Sequence, residues 1–270
     1  MAAKSAGRNL PMAIGVGLGL GALALVSLLT YRITFLVIIA AAVAVSVWEL
    51  QGTLSRARGL QISWIPVGVG SVATMALAWP YGPAALGIGI AATTLVCMVW
   101  RFRGGADGYL ADLSASVFVI VYVGLFAGFA ALMLVPDDGA QRILTFLLLV
   151  VANDVGGYAA GVLAGRHPMA PTISPKKSWE GFGGSVAACM LAGALCLWLM
   201  LGAQWWHGLL VGVAIAVTAT IGDLTESLIK RDLGVKDMGT LLPGHGGLMD
   251  RMDSLLPSAV VTWALLALVV

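Results

Sequence analysis

Apolar runs of about 16–21 residues recur along the whole of this 270-residue chain, separated by short polar or charged stretches. A helix needs about 20 apolar residues to cross roughly 30 Å of hydrocarbon, so each run reads as a membrane span. Nine spans are predicted, at 11–30, 33–48, 62–79, 84–100, 113–133, 143–164, 181–201, 208–229 and 250–270. The expected fold class is all-α: a polytopic integral membrane protein of about nine transmembrane helices. No internal repeat and no low-complexity linker interrupts the series, and Pro80 to Pro83 reads as a tight external turn.

The charges between the spans orient them. If the N-terminus, with Lys4 and Arg8, is cytosolic, then alternate loops place Arg56, Arg58, Arg101, Arg103, Arg166, Lys176, Lys177, Lys230, Arg231, Lys236 and Arg251 on the cytosolic side as well. Only Arg32 and Arg142 fall outside, so 13 of the 15 basic residues obey the positive-inside rule. Adding or removing one central span would destroy that asymmetry. The expectation is N-terminus in, C-terminus out, and an odd number of spans in the cell (plasma) membrane.

Composition agrees: 60% of residues are hydrophobic and 10% charged, which overrides a reading as one or two soluble domains. The net charge of +2 adds nothing, and no feature suggests nucleic acid as a partner. Lys4 and Arg8 before an apolar run could mark a signal peptide, but the run is long and further spans follow directly. Gly15, Gly17, Gly19 and Gly21 lack the preceding strand and acidic partner of a nucleotide loop, so helix packing through small residues is expected there. Cys97, Cys189 and Cys196 all fall inside spans without metal-ligand spacing and read as inert buried thiols. Trp79, Trp100, Trp205 and Trp206 stand near span ends, where an interfacial aromatic belt would place them.

Against this background, residues 222–253 stand apart, with ten of the 28 charged residues of the chain. Charge concentrated in a membrane protein marks a functional site by default. Asp223, Glu226, Asp250 and Asp253 can hold divalent cations; Lys230, Arg231, Lys236 and Arg251 can hold phosphates. Asp223, Glu226, Ser227 and Lys230 share one face of the eighth span, with Asp223 about 10 Å inside its cytosolic end. That stripe reads either as a metal and substrate site or as a salt-bridged packing face, and Lys230 is a ready partner for Glu226 at i+4. Asp250, Asp253 and Ser254 share the first turn of the ninth span, where helix capping is the plainer role for Asp253. Asp223 and Asp250 are the first-choice metal ligands, with Asp253 in reserve. His245, set among Gly244, Gly246 and Gly247, could bind phosphate, move a proton or close the loop.

Two upstream elements extend the candidate site. Asn153 and Asp154 fall near mid-membrane in the sixth span, where a bare carboxylate is costly, and Gly156, Gly157, Gly161 and Gly165 allow a close neighbour or a cavity. Ser174-Pro175 reads as a helix start with Pro at its first position. Lys176 and Lys177 would then lie in the first turn and cradle a phosphate with the backbone N–H groups.

From Ser227 to Asp253, the series Ser227, Lys230, Arg231, Lys236, Asp237, Gly239, Leu242, Pro243, His245, Gly246, Gly247, Asp250, Arg251, Asp253 resembles the C-terminal signature of phosphatidate cytidylyltransferases, the CDP-diacylglycerol synthases. The block Ser174 to Gly181 is similar to an upstream motif of that family, with Ser178 where threonine is more usual. Asn153, Asp154, Tyr158, Gly165 and Arg166 resemble a further element. The resemblance covers roughly the C-terminal half. It divides the chain into residues 1–140, serving as scaffold, lipid access or the surface of a homodimer, and a catalytic region, 141–270.

The resemblance implies transfer of CMP from CTP to phosphatidic acid, releasing pyrophosphate, with Mg²⁺ and a second cation held by Asp223 and Asp250. It implies catalytic work for Asp223, Asp250, Lys230, Arg231 and His245. Substrate binding falls to Ser174, Lys176, Lys177, Ser227, Lys236, Arg251, Asn153 and Asp154. A membrane CTP-using kinase, such as a polyprenol kinase, would share the metals but transfer the γ-phosphoryl group. A CDP-alcohol phosphotransferase would need more than Asp107-Gly108, and a transporter would be expected to show paired repeats and a midplane site.

Overall fold

A computed structural model of the chain describes residues 10–241 and 246–270. Among these residues there are nine helices: α1 (Leu10–Thr30), α2 (Arg32–Arg58), α3 (Trp64–Tyr81), α4 (Pro83–Arg101), α5 (Tyr109–Met133), α6 (Gly139–Ala164), α7 (Trp179–Leu199), α8 (Trp205–Asp232) and α9 (Met249–Val269). Each lies over one of the nine apolar runs. Seven of them, α2 and α4 to α9, are long and apolar enough to cross a membrane. In α3, Pro66, Pro80 and flanking tryptophans lower the apolar character, and α1 contributes a shorter apolar stretch, Gly21–Thr30. The architecture is that of an all-α polytopic membrane protein.

Several turns follow from local chemistry. Gly82 adopts φ +67°, which suits glycine, and Pro83 opens α4 directly behind it, giving the tight turn expected at 80–83. In α5 the turn Ile120–Leu125 is π-helical, and a side chain at Gly124 would collide with Ser71 of α3. The two arginines that break the positive-inside pattern are held by one short loop. Arg32 donates to the carbonyls of Leu134 and Pro136, and Arg142 pairs with Asp138 at 2.8 Å.

Four expectations need correction. The second helix does not stop at 48 but runs ten residues further, to Arg58, because its polar end packs beneath the loop before α9 instead of ending at the hydrocarbon edge. The segment at Ser174-Pro175 is not a helix start. Residues Ser174–Ser178 form strand β2, antiparallel to β1 (Pro168–Ala170), and α7 begins only at Trp179, where the Ser178 hydroxyl accepts the Gly181 N–H at 3.1 Å. Lys176 and Lys177 therefore lie on a strand. Within one chain Gly15, Gly19 and Gly21 of α1 do not pack as expected: among the described residues, nothing lies within 4 Å of a side chain started at any of them. Finally, α9 is interrupted at Asp253 and Ser254, between Met249–Met252 and Leu255–Val269. Pro257 has no N–H for the Asp253 carbonyl, which instead lies against Gly222 of α8.

Close packing through small residues occurs at α6, α7 and α8. A side chain on Gly156 would strike Ala188 and the Gly184 carbonyl, and one on Gly184 would strike Ala160 and the Gly156 carbonyl. Gly193 of α7 meets Gly208 of α8 in the same way, and Gly212 meets the Cys189 carbonyl. Backbones this close are held by dispersion and leave no room for larger side chains. Cys97, Cys189 and Cys196 are free and buried, as expected.

Candidate active site

The tight α6–α7 crossing opens on the side of the β-hairpin into a cavity of about 280 Å³. Asn153, Asp154, Gly157, Tyr158 and Gly161 of α6 line it, with Lys176, Lys177 and Ser178 of the hairpin, Gly181, Phe182 and Ser185 of α7, and Thr220 and Asp223 of α8. The lining combines two cations with two carboxylates. Lys177 Nζ lies 2.6 Å from Asp223 Oδ2, with both side chains partly exposed to the cavity. Asn153 donates from Nδ2 to Asp154 Oδ1 at 3.0 Å, while its own Oδ1 is buried without a partner. A buried carbonyl oxygen without a donor is costly and is a natural ligand for a cation or a substrate N–H or O–H group.

The hairpin is fastened by Glu180, one residue into α7. Its Oε2 accepts the backbone N–H groups of Arg166 and His167 at 3.1 and 3.2 Å, and its Oε1 lies 2.5 Å from His167 Nδ1. Arg231 Nε, at the end of α8, reaches the Ile173 carbonyl in the hairpin turn at 3.4 Å. Strand geometry and these ties hold Lys176 and Lys177 over the cavity.

The polar stripe of α8 splits between two neighbours. Asp223 faces the hairpin cavity, with Ser227 Oγ at 3.4 Å from its Oδ1. Glu226, about 60° further round the helix, is fully buried and forms an ion pair with Lys230. Lys230 also contacts Asp250 Oδ1 at 3.1 Å. As placed, Lys230 bridges two carboxylates, Glu226 and Asp250.

Asp250 organises the loop before α9. Met238 N–H lies 3.0 and 2.9 Å from its two oxygens, and Gly247 N–H donates to Oδ2 at 2.8 Å. Gly246, at φ +84°, brings the backbone round so that this becomes possible. A metal ion at Asp250 would have to displace or share one of these bonds. Asp253 uses Oδ1 to accept the Ser254 N–H at 2.7 Å, and its carbonyl lies against Gly222, one residue before Asp223. Lys236 lies in the same loop. The His245 expectation lies outside the described residues, as do Leu242, Pro243 and Gly244 and the basic residues Lys4 and Arg8.

Sequence reasoning missed the part played by α2. Glu49, buried, accepts the Met249 N–H on Oε2 at 2.9 Å, and side chains at Gly239 or Gly247 would strike its carboxylate. Thr53 donates to the Met238 carbonyl at 2.5 Å. Two residues from the half without a motif thus form the floor of the motif loop. A carboxylate at the end of an apolar run was the available signal. Thr220 and Ser185, which line the cavity, carried no such mark.

Magnesium takes oxygen ligands and commonly binds through one or two carboxylates together with substrate phosphates. Among the described residues no group of three or more acidic, histidine or cysteine side chains is placed to hold a metal ion. The residues present fit a site completed by substrate: Asp223 opens on the cavity, Asp253 lies against Gly222 next to it, and Asn153 Oδ1 lacks a partner.

The model of the cytidylyltransferase family matches residues 12–269. The chain is 46% identical to the phosphatidate cytidylyltransferase of Mycobacterium leprae, over 97% of its own length and 89% of that protein. It is 44% identical to the Mycobacterium bovis protein of the same name, over 97% and 90%. The Staphylococcus haemolyticus phosphatidate cytidylyltransferase is 38% identical over 53% of this chain. The family model and the likeness along nearly the whole length agree: the chain belongs to the cytidylyltransferase family.

Proposed function

We propose that this protein is a phosphatidate cytidylyltransferase, which joins CMP from CTP to phosphatidic acid and releases CDP-diacylglycerol and pyrophosphate. The likeness to proteins of that name over 97% of the chain carries the reading. The cavity adds chemical support, because it sets ammonium groups beside carboxylates, as a site for metal-bound phosphates requires.

In the reaction a phosphate oxygen of the lipid attacks the α-phosphorus of CTP. A new P–O bond forms as the bond to the bridging oxygen of the β-phosphate breaks, and pyrophosphate leaves with that electron pair. A phosphate monoester is already ionised near neutral pH, so positioning and charge neutralisation are what the protein must supply. Lys176 and Lys177 bind phosphate oxygens from the hairpin, with Ser174 at its turn; Arg231, Lys236 and Arg251 add positive charge from the α8 end, the motif loop and the first turn of α9. Asn153 and Asp154 orient the substrate from α6, and Ser227 supports Asp223. Asp223, with Asp253, would hold magnesium, which would supply charge neutralisation at phosphate oxygens. Asp250 and Lys230 keep the loop closed against that pair, and His245 belongs to the same loop in sequence.

The helices cross the plasma membrane nine times with the N-terminus inside, and the cavity opens to the cytosol, where CTP is found. The 13-to-2 division of basic residues supports that orientation. Membrane lipid and a second copy of the chain are the further partners in this proposal. The test is purified protein in detergent with CTP, phosphatidic acid and magnesium. CDP-lipid should form, disappear with EDTA and disappear in Asp223→Asn of unchanged thermal stability. Full activity in that variant would remove Asp223 from the chemistry.

A further inference from the structure

A second cavity, of about 290 Å³, lies between α1, α2, α5, α6 and α9. Among its described lining residues Arg251 is the one polar side chain; the others are aliphatic or aromatic, with Phe35 and Phe146 among them. The groove follows the helices. Along α9 it extends from Arg251 to Ala259, eight residues or about 12 Å, and along α2 from Ala42 to Phe35, about 10 Å. One leaflet of hydrocarbon is about half of 30 Å, so the groove has most of the depth of a single leaflet. Arg251 stands at the end nearest the motif loop, next in sequence to Asp250, whose carboxylate accepts the Met238 and Gly247 N–H groups of that loop. One guanidinium thus stands where the apolar slot meets the motif loop.

We propose that this groove holds one acyl chain of the phosphatidic acid substrate, with Arg251 at its inner end binding the lipid phosphate. The proposal rests on the cytidylyltransferase reading and deepens it by assigning the lipid tail a place on this chain. Any lipid tail can occupy an apolar slot; the guanidinium at its end is what selects a tail attached to an exposed phosphate monoester. The acyl chain then fixes the direction from which the headgroup enters the polar cavity.

Ala42 is half-buried on the groove wall, so Ala42→Phe fills the slot from a position that is not deep core. KM for long-chain phosphatidic acid in mixed micelles should rise at least about tenfold. KM for CTP and turnover of a short-chain phosphatidic acid, whose tails do not reach the wall, should stay as in the unsubstituted protein. An unchanged long-chain KM would overturn the proposal. If both chain lengths fail together, the decision passes to unsubstituted protein and a phosphatidic acid carrying a photoactivatable group midway along one acyl chain. Labelling of α2 and α9 peptides around Ile39 and Leu255, competed by phosphatidic acid but not by phosphatidylcholine, supports the groove. Labelling elsewhere, or equal competition by both lipids, overturns it. Failure of the unsubstituted protein to make any CDP-lipid from the short-chain substrate would instead count against the cytidylyltransferase reading, while the labelling experiment still reports on the groove.

Discussion

Replacing Asp250 by asparagine separates a carboxylate that builds the loop from one that acts only through an ion. The side chain is 3% exposed and keeps its volume in the substitution. Its Oδ1 faces Lys230 and Met238 N–H, and its Oδ2 faces Met238 and Gly247 N–H. An amide has one acceptor oxygen and one NH₂ donor. Whichever way the new amide turned, its NH₂ would confront either the Lys230 ammonium or the Gly247 N–H. One charge-assisted bond, worth about 1.5–3 kcal/mol, is lost and the remaining ones no longer have an ionised acceptor. A loss of about 3 kcal/mol raises the open population of the loop by about two orders of magnitude. The helices keep their own packing, so the opening should be local. Hydrogen exchange followed by mass spectrometry in detergent should show the Met238 and Gly247 amides exchanging about 100-fold faster in Asp250→Asn, with the α6–α7 contact unchanged. In unsubstituted protein, EDTA should leave the same amides protected. Unchanged exchange in the variant would refute the clamp, as would equal deprotection by EDTA, which would make the ion the element that closes the loop.

Other substitutions probe the remaining supports. Lys177→Met should raise KM for CTP about tenfold, the loss of one charge-assisted contact, with Lys177→Arg recovering part of it in steady-state assays. Ser178→Ala removes the α7 cap and should cost about 1 kcal/mol, read as a lower midpoint of thermal unfolding in detergent. Gly184→Leu sets a side chain against Ala160 and the Gly156 carbonyl; the overpacking should exceed about 3 kcal/mol, and the protein should fail to accumulate as a monodisperse species.

The helices were legible because the bilayer imposes one length and one composition on every span. The nine apolar runs therefore fall on the nine helices described. The end of α2 was not legible: beyond Trp48 its sequence turns polar, and hydrophobicity cannot distinguish a helix leaving the membrane from a loop. Glu49 and Thr53 consequently fell outside any predicted element, although they hold Met249 and Met238. The hairpin at 168–178 was hidden by its size, since three and five residues give no measurable alternation, and Ser174-Pro175 imitates a helix start. In the charged stretch, sequence order identified the right residues but not their division of labour. Helical spacing placed Asp223, Glu226 and Lys230 on one face; tertiary contacts directed Asp223 to Lys177 and the other two to each other and Asp250. The glycines mislead for a related reason. Those in α6 and α7 meet backbones, whereas Gly15, Gly19 and Gly21 of α1 meet nothing described, and the sequence motif is alike in both.

The most direct measurement follows the phosphorus. Purified protein in detergent with phosphatidic acid and magnesium would receive CTP labelled at the α-phosphate in one reaction and at the γ-phosphate in another. Cytidylyl transfer through this site must carry the α-label into the lipid and release the γ-label as pyrophosphate. Appearance of the γ-label in the lipid, with the α-label left in CDP, would contradict it and identify the protein as a CTP-dependent lipid kinase.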